Sequence, residues 1–232
     1  MAQAQEAQEG KHVVAKPGAR AKAEPKTENQ ARYFDAVRDS TITFATGPAG
    51  TGKTYIATSI GAVELMAGNF DRLIITRPAI EAGERIGFIP GNIDEKLSPY
   101  MAPITDNLNR CFGPAKVKVF KEKTIIEVIP VAFMRGRSLE RCFIIVDEAQ
   151  NTSISQMLMI LTRLGAGSKM VVTGDPSQSD LPTRAPSGLD HAKTILRGIP
   201  GISWVELENK DIVRHPLVQA IVEAYERDRH VL

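Results

Sequence analysis

The sequence predicts a single α/β domain in which helices cover both faces of a mainly parallel sheet. The first observation is the length of 232 residues with 43% apolar and 24% charged side chains, which suits one globular domain. The second is an alternation of short, β-rich apolar runs with longer helical stretches. The third is a glycine-rich phosphate-binding motif between the first apolar run and a helical stretch.

The domain is predicted to follow a disordered basic arm. Residues 1–26 are rich in Ala, Gln, Glu and Lys and lack apolar periodicity, so we expect disorder there and the domain over residues 27–232. The arm holds five basic and three acidic side chains of the chain's 29 and 27, which leaves 24 of each elsewhere. The net charge of +2 therefore lies in the arm and does not indicate a polyanion-binding domain.

The cysteine, histidine and hydropathy patterns exclude several classes of protein. Cys111 and Cys142 are too few for a disulfide framework or a thiolate metal site, and they favour a reducing compartment, the cytoplasm. Apolar runs such as Cys142–Val146 are far shorter than the roughly 18 residues of a membrane span, and residues 1–9 are too polar for a signal peptide. The four histidines lack ligand spacing. We therefore expect neither membrane insertion nor a structural metal.

The elements of the domain follow from local patterns. Six apolar runs are predicted strands, over residues 41–45, 72–76, 124–129, 141–146, 169–173 and 202–207. Ser153 and Gln156 have capping-box spacing and predict a helix with a buried stripe of Ile154, Met157, Leu158, Leu161 and Leu164. Pro216 is predicted to begin a closing helix. The glycines and prolines between Ile80 and Pro103 predict a long surface loop.

The strongest functional motif is a complete G-x-x-x-x-G-K-T after the first predicted strand. Its glycines allow successive backbone N–H groups to turn toward a phosphate chain, and the following helix adds its positive N-terminal end. Lys53 is expected to contact the β and γ phosphates, and the Thr54 hydroxyl to bind Mg²⁺. The alternative is a glycine-rich turn without a ligand. The predicted nucleotide-binding residues are Gly47, Pro48, Ala49, Gly50, Thr51, Gly52, Lys53 and Thr54.

A second motif is the acidic pair at the end of the predicted strand 141–146. Ligands bind at the carboxyl ends of parallel strands, so Asp147 is expected to hold hydrated Mg²⁺ and Glu148 to activate the attacking water. The adjacent pair of acids favours hydrolysis of a nucleotide over a simple nucleotide-dependent switch. The alternative is a solvated helix start. After the next strand, Gln178 is a predicted sensor of the γ-phosphate, although Gly-Asp-Pro at 174–176 is also ordinary turn chemistry.

These motifs in this order resemble the PhoH family, an ATPase group among the superfamily-one helicase-like P-loop proteins. The resemblance covers about residue 27 to the C-terminus. It implies a RecA-like P-loop NTPase domain that uses ATP and Mg²⁺. The segments that carry it are GPAGTGKT, LIITRPAIEAGERIGFIPGNIDEKLSPY, FMRGRSLERCFIIVDEAQN, VVTGDPSQSDLP and DIVRHPLVQAIVEAY.

The resemblance also implies roles for two isolated residues. Gln30 matches a glutamine that recognises the adenine edge, which favours ATP over GTP, and a guanine-specific N-K-x-D is absent because Asn209-Lys210-Asp211 lacks the intervening residue. Arg214 matches an arginine finger that stabilises charge on the phosphates, at a site completed by assembly. The alternatives are a solvent-facing glutamine at a helix start and a surface arginine.

The resemblance further implies a track for single-stranded RNA or DNA. Arg77, Arg135 and Arg137 are the predicted phosphate contacts, with Phe88 or Tyr100 available for base stacking. The alternative is that these loop arginines are simply solvated.

The sequence thus predicts a Mg²⁺-dependent ATPase coupled to binding or remodelling of single-stranded RNA. The alternative is an ATP-dependent assembly or partner-regulating module without nucleic-acid activity, and a small-molecule kinase is a third. The chain has length for one motor domain, so either neighbouring subunits supply the second wall of a strand clamp or the protein is not a processive helicase. We expect a homo-oligomeric ring, and the family suggests a hexamer.

Overall fold

One six-stranded parallel sheet forms the centre of the domain. It is seen in a computed structural model that describes residues 23–78, 93–182 and 186–213 and the helical positions 217, 221 and 224; for residues 93–100 the description covers the backbone. The strand order is β3-β2-β4-β5-β1-β6. The strands are β1 (Ile42–Thr46), β2 (Arg72–Arg77), β3 (Ile126–Pro130), β4 (Cys142–Val146), β5 (Lys169–Gly174) and β6 (Ile202–Glu206).

The strands send alternate side chains into two apolar cores, one on each face of the sheet. On β4, Phe143 and Ile145 enter one core, whereas Ile144 and Val146 enter the other, and all four are fully buried. Because successive strand side chains point to opposite faces, such a continuous apolar run requires cover on both sides. The predicted α/β architecture, a parallel sheet with helices on both faces, is confirmed, and each strand lies within two residues of its predicted bounds.

Six helices provide this cover. Tyr33 and Ile104 represent the helices on the first face, α1 to α4, and Met157 and Leu189 represent α5 and α6 on the second face. The helices are α1 (Glu28–Asp39), α2 (Lys53–Ala67), α3 (Ile93–Phe112), α4 (Pro114–Glu122), α5 (Ile154–Leu161) and α6 (Gly188–Ile195). None of the described helices combines the length and the apolar content needed to cross a bilayer.

The helix after Ser153 is capped as predicted but is shorter than its apolar pattern indicates. The capping box between Ser153 and Gln156 is complete. Helix α5 ends at Leu161, so Leu164 lies beyond it. Leu158 is 63% exposed, so its predicted place in the core was wrong. The reason is that α5 packs on the sheet through the face that carries Met157.

The surface loop predicted between Ile80 and Pro103 is partly a helix. Helix α3 begins at Ile93 and continues past Pro103. Its apolar residues Met101, Ile104 and Leu108 recur at helical spacing and are buried, and this packing outweighs the helix-breaking tendency of proline. Residues 79–92, the rest of the predicted loop, lie outside the described residues.

The two ends of the chain are described only in part. The arm was predicted to extend to residue 26, but Ala23 N donates to Ser59 Oγ at 2.6 Å and Lys26 N donates to Gln30 Oε1 at 2.8 Å, so residues 23–26 contact the domain. Residues 1–22 lie outside the described residues. So does most of the predicted closing helix after Pro216, of which three positions are described.

A buried carboxylate ties the start of α1 to the chain after β6. Asp211 accepts hydrogen bonds from Thr27 Oγ1, Asn29 Nδ2 and the backbone N–H of Glu208. Burial alone would raise the pKa of Asp211, but these donors and the nearby Lys210 outweigh it and lower the pKa. The charged form of Asp211 therefore stabilises the fold.

We expect Asp211→Asn to lower the free energy of unfolding at pH 7 by about 1–3 kcal/mol. The NH₂ group of the new asparagine would face at least one of the three hydrogen-bond donors that the carboxylate accepts from. The folded-state pKa is lowered, so this contribution is present above the unfolded-state pKa of about 3.9 and is lost as the pH falls further. Urea unfolding at pH 7 and below pH 4 measures both effects. The exposed carboxylate Asp106, changed to Asn, is the control, and an equal loss in both variants would contradict the prediction.

Candidate functional site

The phosphate-binding loop connects β1 to α2 and depends on glycine at two positions. Gly47 has φ +144°, and a Cβ there would lie 2.2 Å from the carbonyl oxygen of Leu207. Gly52 has φ +85° and precedes α2, whose first turn has no side-chain cap. The first N–H groups of a helix have no partner within the helix, so this turn can offer them to an anion.

The end of β4 meets the start of α2 at one carboxylate oxygen. Thr54 Oγ1 donates to Asp147 Oδ1 at 2.6 Å, and Thr173 Oγ1 on β5 donates to the same oxygen at 2.9 Å. Asp147 is buried. Lys53 Nζ lies on the loop itself, where it donates to the carbonyl oxygens of Gly47 at 2.5 Å and Pro48 at 2.8 Å. Residues 93 positions apart in sequence thus form one polar centre.

The donor atoms of this centre suit a hydrated magnesium ion. Thr54 and Asp147 offer hard oxygen ligands, and Asp175 Oδ2 is buried nearby without a hydrogen-bond partner among the described residues. Across the part of the chain that is described, no group of three or more His, Cys, Asp or Glu side chains forms a protein cage. Magnesium is usually held by one or two protein ligands together with water and phosphate oxygens, so the residues fit this ion.

Glu148, the second acid, has both carboxylate oxygens engaged. Arg77 Nη2 lies 3.1 Å from Oε1, and Gln150 Nε2 donates to Oε2 at 2.6 Å. The backbone of Glu148 is in the left-handed region at φ +53°, which is uncommon for a residue other than glycine. Gln178 is exposed, and its backbone carbonyl oxygen lies 3.4 Å from Gln150 Nε2.

Two cavities adjoin the loop. A cavity of about 280 Å³ is bordered by Lys53, Thr54, Asp147, Glu148, Asp175 and Gln178. A second cavity of about 240 Å³ is lined by Gln30, Tyr55 and Arg110. Both cavities are bordered by Gly50, Gly52 and Tyr55, so the loop lies between the acidic first cavity and the second cavity.

Gln30 lies in the second cavity with its side-chain amide already hydrogen-bonded. Its Nε2 donates to the carbonyl oxygens of Thr51 at 3.1 Å and Asp211 at 3.4 Å, and its Oε1 accepts from Lys26 N. The side chain is 3% exposed. Gln30 therefore supports the loop through Thr51, and its predicted contact with adenine stays a prediction.

The three arginines predicted to contact nucleic acid have different surroundings. Arg77 is the last residue of β2 and contacts Glu148, which borders the first cavity. Arg137 forms a two-pronged ion pair with Glu127 on β3, at 2.9 and 2.8 Å, and this hydrogen bonding raises the pKa of Arg137. Arg135 is exposed beside a groove of about 320 Å³ between β3 and α5. Arg214 and Phe88 lie outside the described residues, and the side chain of Tyr100 does too.

Comparison with known proteins decides the family. A model described as "PhoH-like protein" matches residues 22–226. The PhoH-like protein of Synechocystis sp. is 50% identical over 88% of this chain and 62% of the relative, and that of Bacillus subtilis is 50% identical over 87% and 63%. The chain belongs to the PhoH family. The resemblance seen in the sequence is confirmed, and this PhoH family member is a P-loop NTPase.

One further PhoH protein and one solved structure resemble the chain less closely. Protein PhoH of Escherichia coli K12 is 40% identical over 86% of this chain and 57% of the relative. The chain therefore spans about six tenths of the length of the curated PhoH relatives that it matches. Among solved structures, the Sulfolobus solfataricus SWI2/SNF2 ATPase core in complex with dsDNA has a TM-score of 0.43 and 15% identity over 84% of this chain and 47% of that chain.

Three side chains of the PhoH site were missed by the sequence analysis. Tyr55 directly follows the phosphate-binding motif, and Gln150 lies two residues after Glu148, so their nearness to the motifs was a usable signal. Arg110 carried no such signal, because it reaches the second cavity from α3, more than fifty residues after the loop. Only the packing of α3 on α2 brings it there.

Proposed function

We propose that this PhoH family member is a magnesium-dependent ATPase whose cycle is coupled to single-stranded RNA. The observation that carries the proposal is the 2.6 Å contact of Thr54 with Asp147, which joins the phosphate-binding loop to the acidic end of β4 beside Glu148. A threonine and an aspartate in this relation are the usual protein ligands of nucleotide-bound Mg²⁺ in P-loop enzymes.

The reaction is attack of water on the γ-phosphorus. Lys53 turns from its two carbonyl partners to the β and γ phosphates, where its charge offsets the charge that develops on them. Magnesium, when bound at Thr54 and Asp147, neutralises further phosphate charge. Glu148 takes a proton from the water as the new oxygen–phosphorus bond forms and the bond to the bridging oxygen breaks, which yields ADP and phosphate. Gln178 at the cavity rim orients the γ-phosphate.

The nucleoside occupies the second cavity in this proposal. The triphosphate lies in the first cavity, and the two share the loop glycines and Tyr55 as a common border. Together they fall in the size range of ligand sites, about 300–1,000 Å³. Tyr55 offers an aromatic face, and the exposed Arg110 offers a cation at the rim. Gln30 recognises adenine by exchanging its present hydrogen bonds for bonds to the edge of the base.

We expect Arg110→Ala to raise the KM for ATP about two- to fivefold with kcat unchanged, since a contact of an exposed guanidinium with a base is worth about 0.5–1 kcal/mol. Steady-state hydrolysis over an ATP titration measures both constants. Inhibition by inorganic tripolyphosphate is the control, because that ligand fills only the first cavity and should inhibit both proteins equally. An unchanged KM would remove Arg110 from the nucleoside site.

The coupling to RNA rests on the arginines at the carboxyl edge of β2 and β3. Arg77 contacts Glu148, and Arg135 is exposed and makes no hydrogen bond or ion pair among the described residues. Guanidinium groups suit phosphate, and sequence-tolerant binding of a single strand combines such contacts with stacking of the bases. Arg137 already holds Glu127, so its proposed share in strand binding is smaller.

A homo-oligomer, plausibly a hexameric ring, is part of the proposal, with Arg214 as the arginine finger. Val213, the residue before Arg214, donates its N–H to the carbonyl oxygen of Gly50 at 3.1 Å, so Val213 lies next to the loop. Mixing Lys53→Ala with Arg214→Ala subunits tests the arrangement. Activity restored by mixing places Arg214 in the neighbour's site, and no restoration places it in its own. The buried free thiols of Cys111 and Cys142 support a cytoplasmic location.

ATP hydrolysis and molecular mass, measured on one sample with and without single-stranded RNA at low salt, test the whole proposal. We expect Mg²⁺-dependent hydrolysis, stimulation by RNA and a mass of several subunits. Hydrolysis without any RNA effect, together with a stoichiometric protein captured only when Lys53 is intact, would favour the assembly module instead. Phosphoryl transfer to a metabolite would revive the kinase.

A further inference from the structure

An ion pair connects Glu148, the proposed base in ATP hydrolysis, with Arg77, a proposed contact for RNA. Arg77 is the last residue of β2, and Glu148 follows β4, the neighbouring strand, so both residues lie at the carboxyl end of the sheet. Their contact of 3.1 Å directs Oε1 of the proposed base toward the guanidinium. An oxygen that faces Arg77 in this way is not directed at an attacking water.

The other oxygen of Glu148 is held by a partner that is itself fixed. Gln150 is 1% exposed, and while its Nε2 donates to Glu148, its Oε1 accepts from the backbone N–H of Asp175 at 3.0 Å. Releasing Gln150 would leave buried polar groups unpaired. Arg77 has a 24% exposed side chain, and a partly exposed ion pair is weak. Of the two contacts, the one with Arg77 is the easier to break.

The backbone of Glu148 supports this arrangement. Its left-handed φ of +53° is costly for a glutamate, and such conformations persist only where surrounding contacts impose them. Arg77 and Gln150 are the side chains that hold its carboxylate from opposite sides. A carboxylate held in this way can change position when one of the two contacts is lost.

We propose that Arg77 holds Glu148 away from the attacking water until a backbone phosphate of single-stranded RNA takes over the guanidinium. The inference rests on the proposed function and adds how RNA controls that site. A phosphate matches the planar guanidinium as well as a carboxylate does, so the exchange replaces one ion pair with another. Arg135, on the turn that follows the neighbouring strand β3, provides a second cationic contact for the same strand. Arg77 is thus a positioning residue in the ground state and a sensor of RNA.

The test compares wild type, Arg77→Ala and Arg77→Lys for ATP hydrolysis with and without oligo(U) at low salt. In wild type, RNA should raise kcat about fivefold or more, the lower end of typical coupling between sites. In Arg77→Ala, kcat without RNA should already be raised by a similar factor, RNA should add little, and the KM for ATP should be unchanged. Arg77→Lys should restore the low basal rate, because a lysine still pairs with Glu148.

The matched control is Arg141→Ala. Arg141 precedes β4 at the opposite edge of the sheet and pairs with Asp71 at 2.9 Å, so this variant removes a comparable ion pair far from the site. Its basal and stimulated rates should equal those of wild type. Binding of a fluorescent ADP analogue shows whether each variant retains a folded nucleotide site.

Other outcomes overturn the inference in different ways. A basal rate that is unchanged in Arg77→Ala while stimulation is lost makes Arg77 a plain RNA contact, and a lowered basal rate makes it part of the catalytic site. Stimulation by poly-L-glutamate but not by oligo(U) makes an acidic protein the ligand. In each case hydrolysis that depends on Lys53 leaves the proposed ATPase standing, whereas absence of such hydrolysis in wild type removes the proposed function itself.

Discussion

Glu148→Gln should lower kcat for ATP hydrolysis by about 10²- to 10⁴-fold and leave ATP binding nearly unchanged, because the variant removes the group that accepts a proton from water. Glutamine keeps the size of the side chain and can still accept from Arg77 through its oxygen. The proposed ligands of magnesium and the phosphate-binding loop are untouched, since Asp147 and Thr54 contact each other and not Glu148. Single-turnover hydrolysis and binding of a fluorescent ATP analogue measure the two effects separately.

The control for this variant is Glu140→Gln. Glu140 is an exposed acid before β4, at the end of that strand opposite to Glu148, so the same chemical change is made away from the site. It should hydrolyse ATP at the wild-type rate. If Glu148→Gln loses less than tenfold in kcat, another group activates the water. If it loses ATP affinity in the same proportion as rate, Glu148 has a structural part in binding.

Features defined by neighbouring residues could be predicted from the sequence. The phosphate-binding loop needs φ above zero at Gly52, and this requirement acts within one short segment. The capping box at Ser153 is equally local, because its partners are three residues apart. The six strands were predictable since each is a short apolar run, and the four central strands β1, β2, β4 and β5 are buried along nearly all of their length. Parallel pairing then placed Asp147 at the correct edge of the sheet.

Features that depend on tertiary contacts could not be predicted. The ion pair of Arg77 with Glu148 joins residues 71 positions apart, and no pattern in the sequence distinguishes it from two solvated side chains. The pairing of Arg137 with Glu127 arises from the turn that follows β3 and is likewise invisible in the sequence. Gln30 was predicted as an adenine contact, but its bonds to Thr51 and Asp211 depend on three segments meeting.

Helix α3 illustrates a conflict between local and tertiary preference. Proline and glycine dominate the local pattern between residues 80 and 103, which favoured a loop. The helix nevertheless includes Pro99 and Pro103, because Ile104 and Leu108 on its inner face are fully buried against the first core. Such packing is not visible in a local pattern. The same helix carries Arg110, so the residue that was missed at the second cavity belongs to the element that was wrongly predicted as a loop.

Lys53→Ala should nearly abolish hydrolysis, with kcat lowered by about 10²- to 10³-fold and ATP affinity reduced as well. Lys53 is the cation of the phosphate-binding loop, and removing one preorganised donor from a transition state costs a factor of this size. Its ammonium group also donates to the carbonyl oxygens of Gly47 and Pro48, so the variant removes two hydrogen bonds within the loop. Loss of activity therefore has to be separated from loss of loop structure.

Lys169 provides the matched control for this separation. Its Nζ also donates to two backbone carbonyls, those of Val37 and Arg38 at the end of α1, but it lies at the amino end of β5, away from the nucleotide. Lys169→Ala should lose thermal stability comparable to that of Lys53→Ala while it hydrolyses ATP at the wild-type rate. Melting temperature and kcat, measured on both variants, decide the matter. If the two lose activity in proportion to stability, the ammonium of Lys53 acts on the loop rather than on the phosphates.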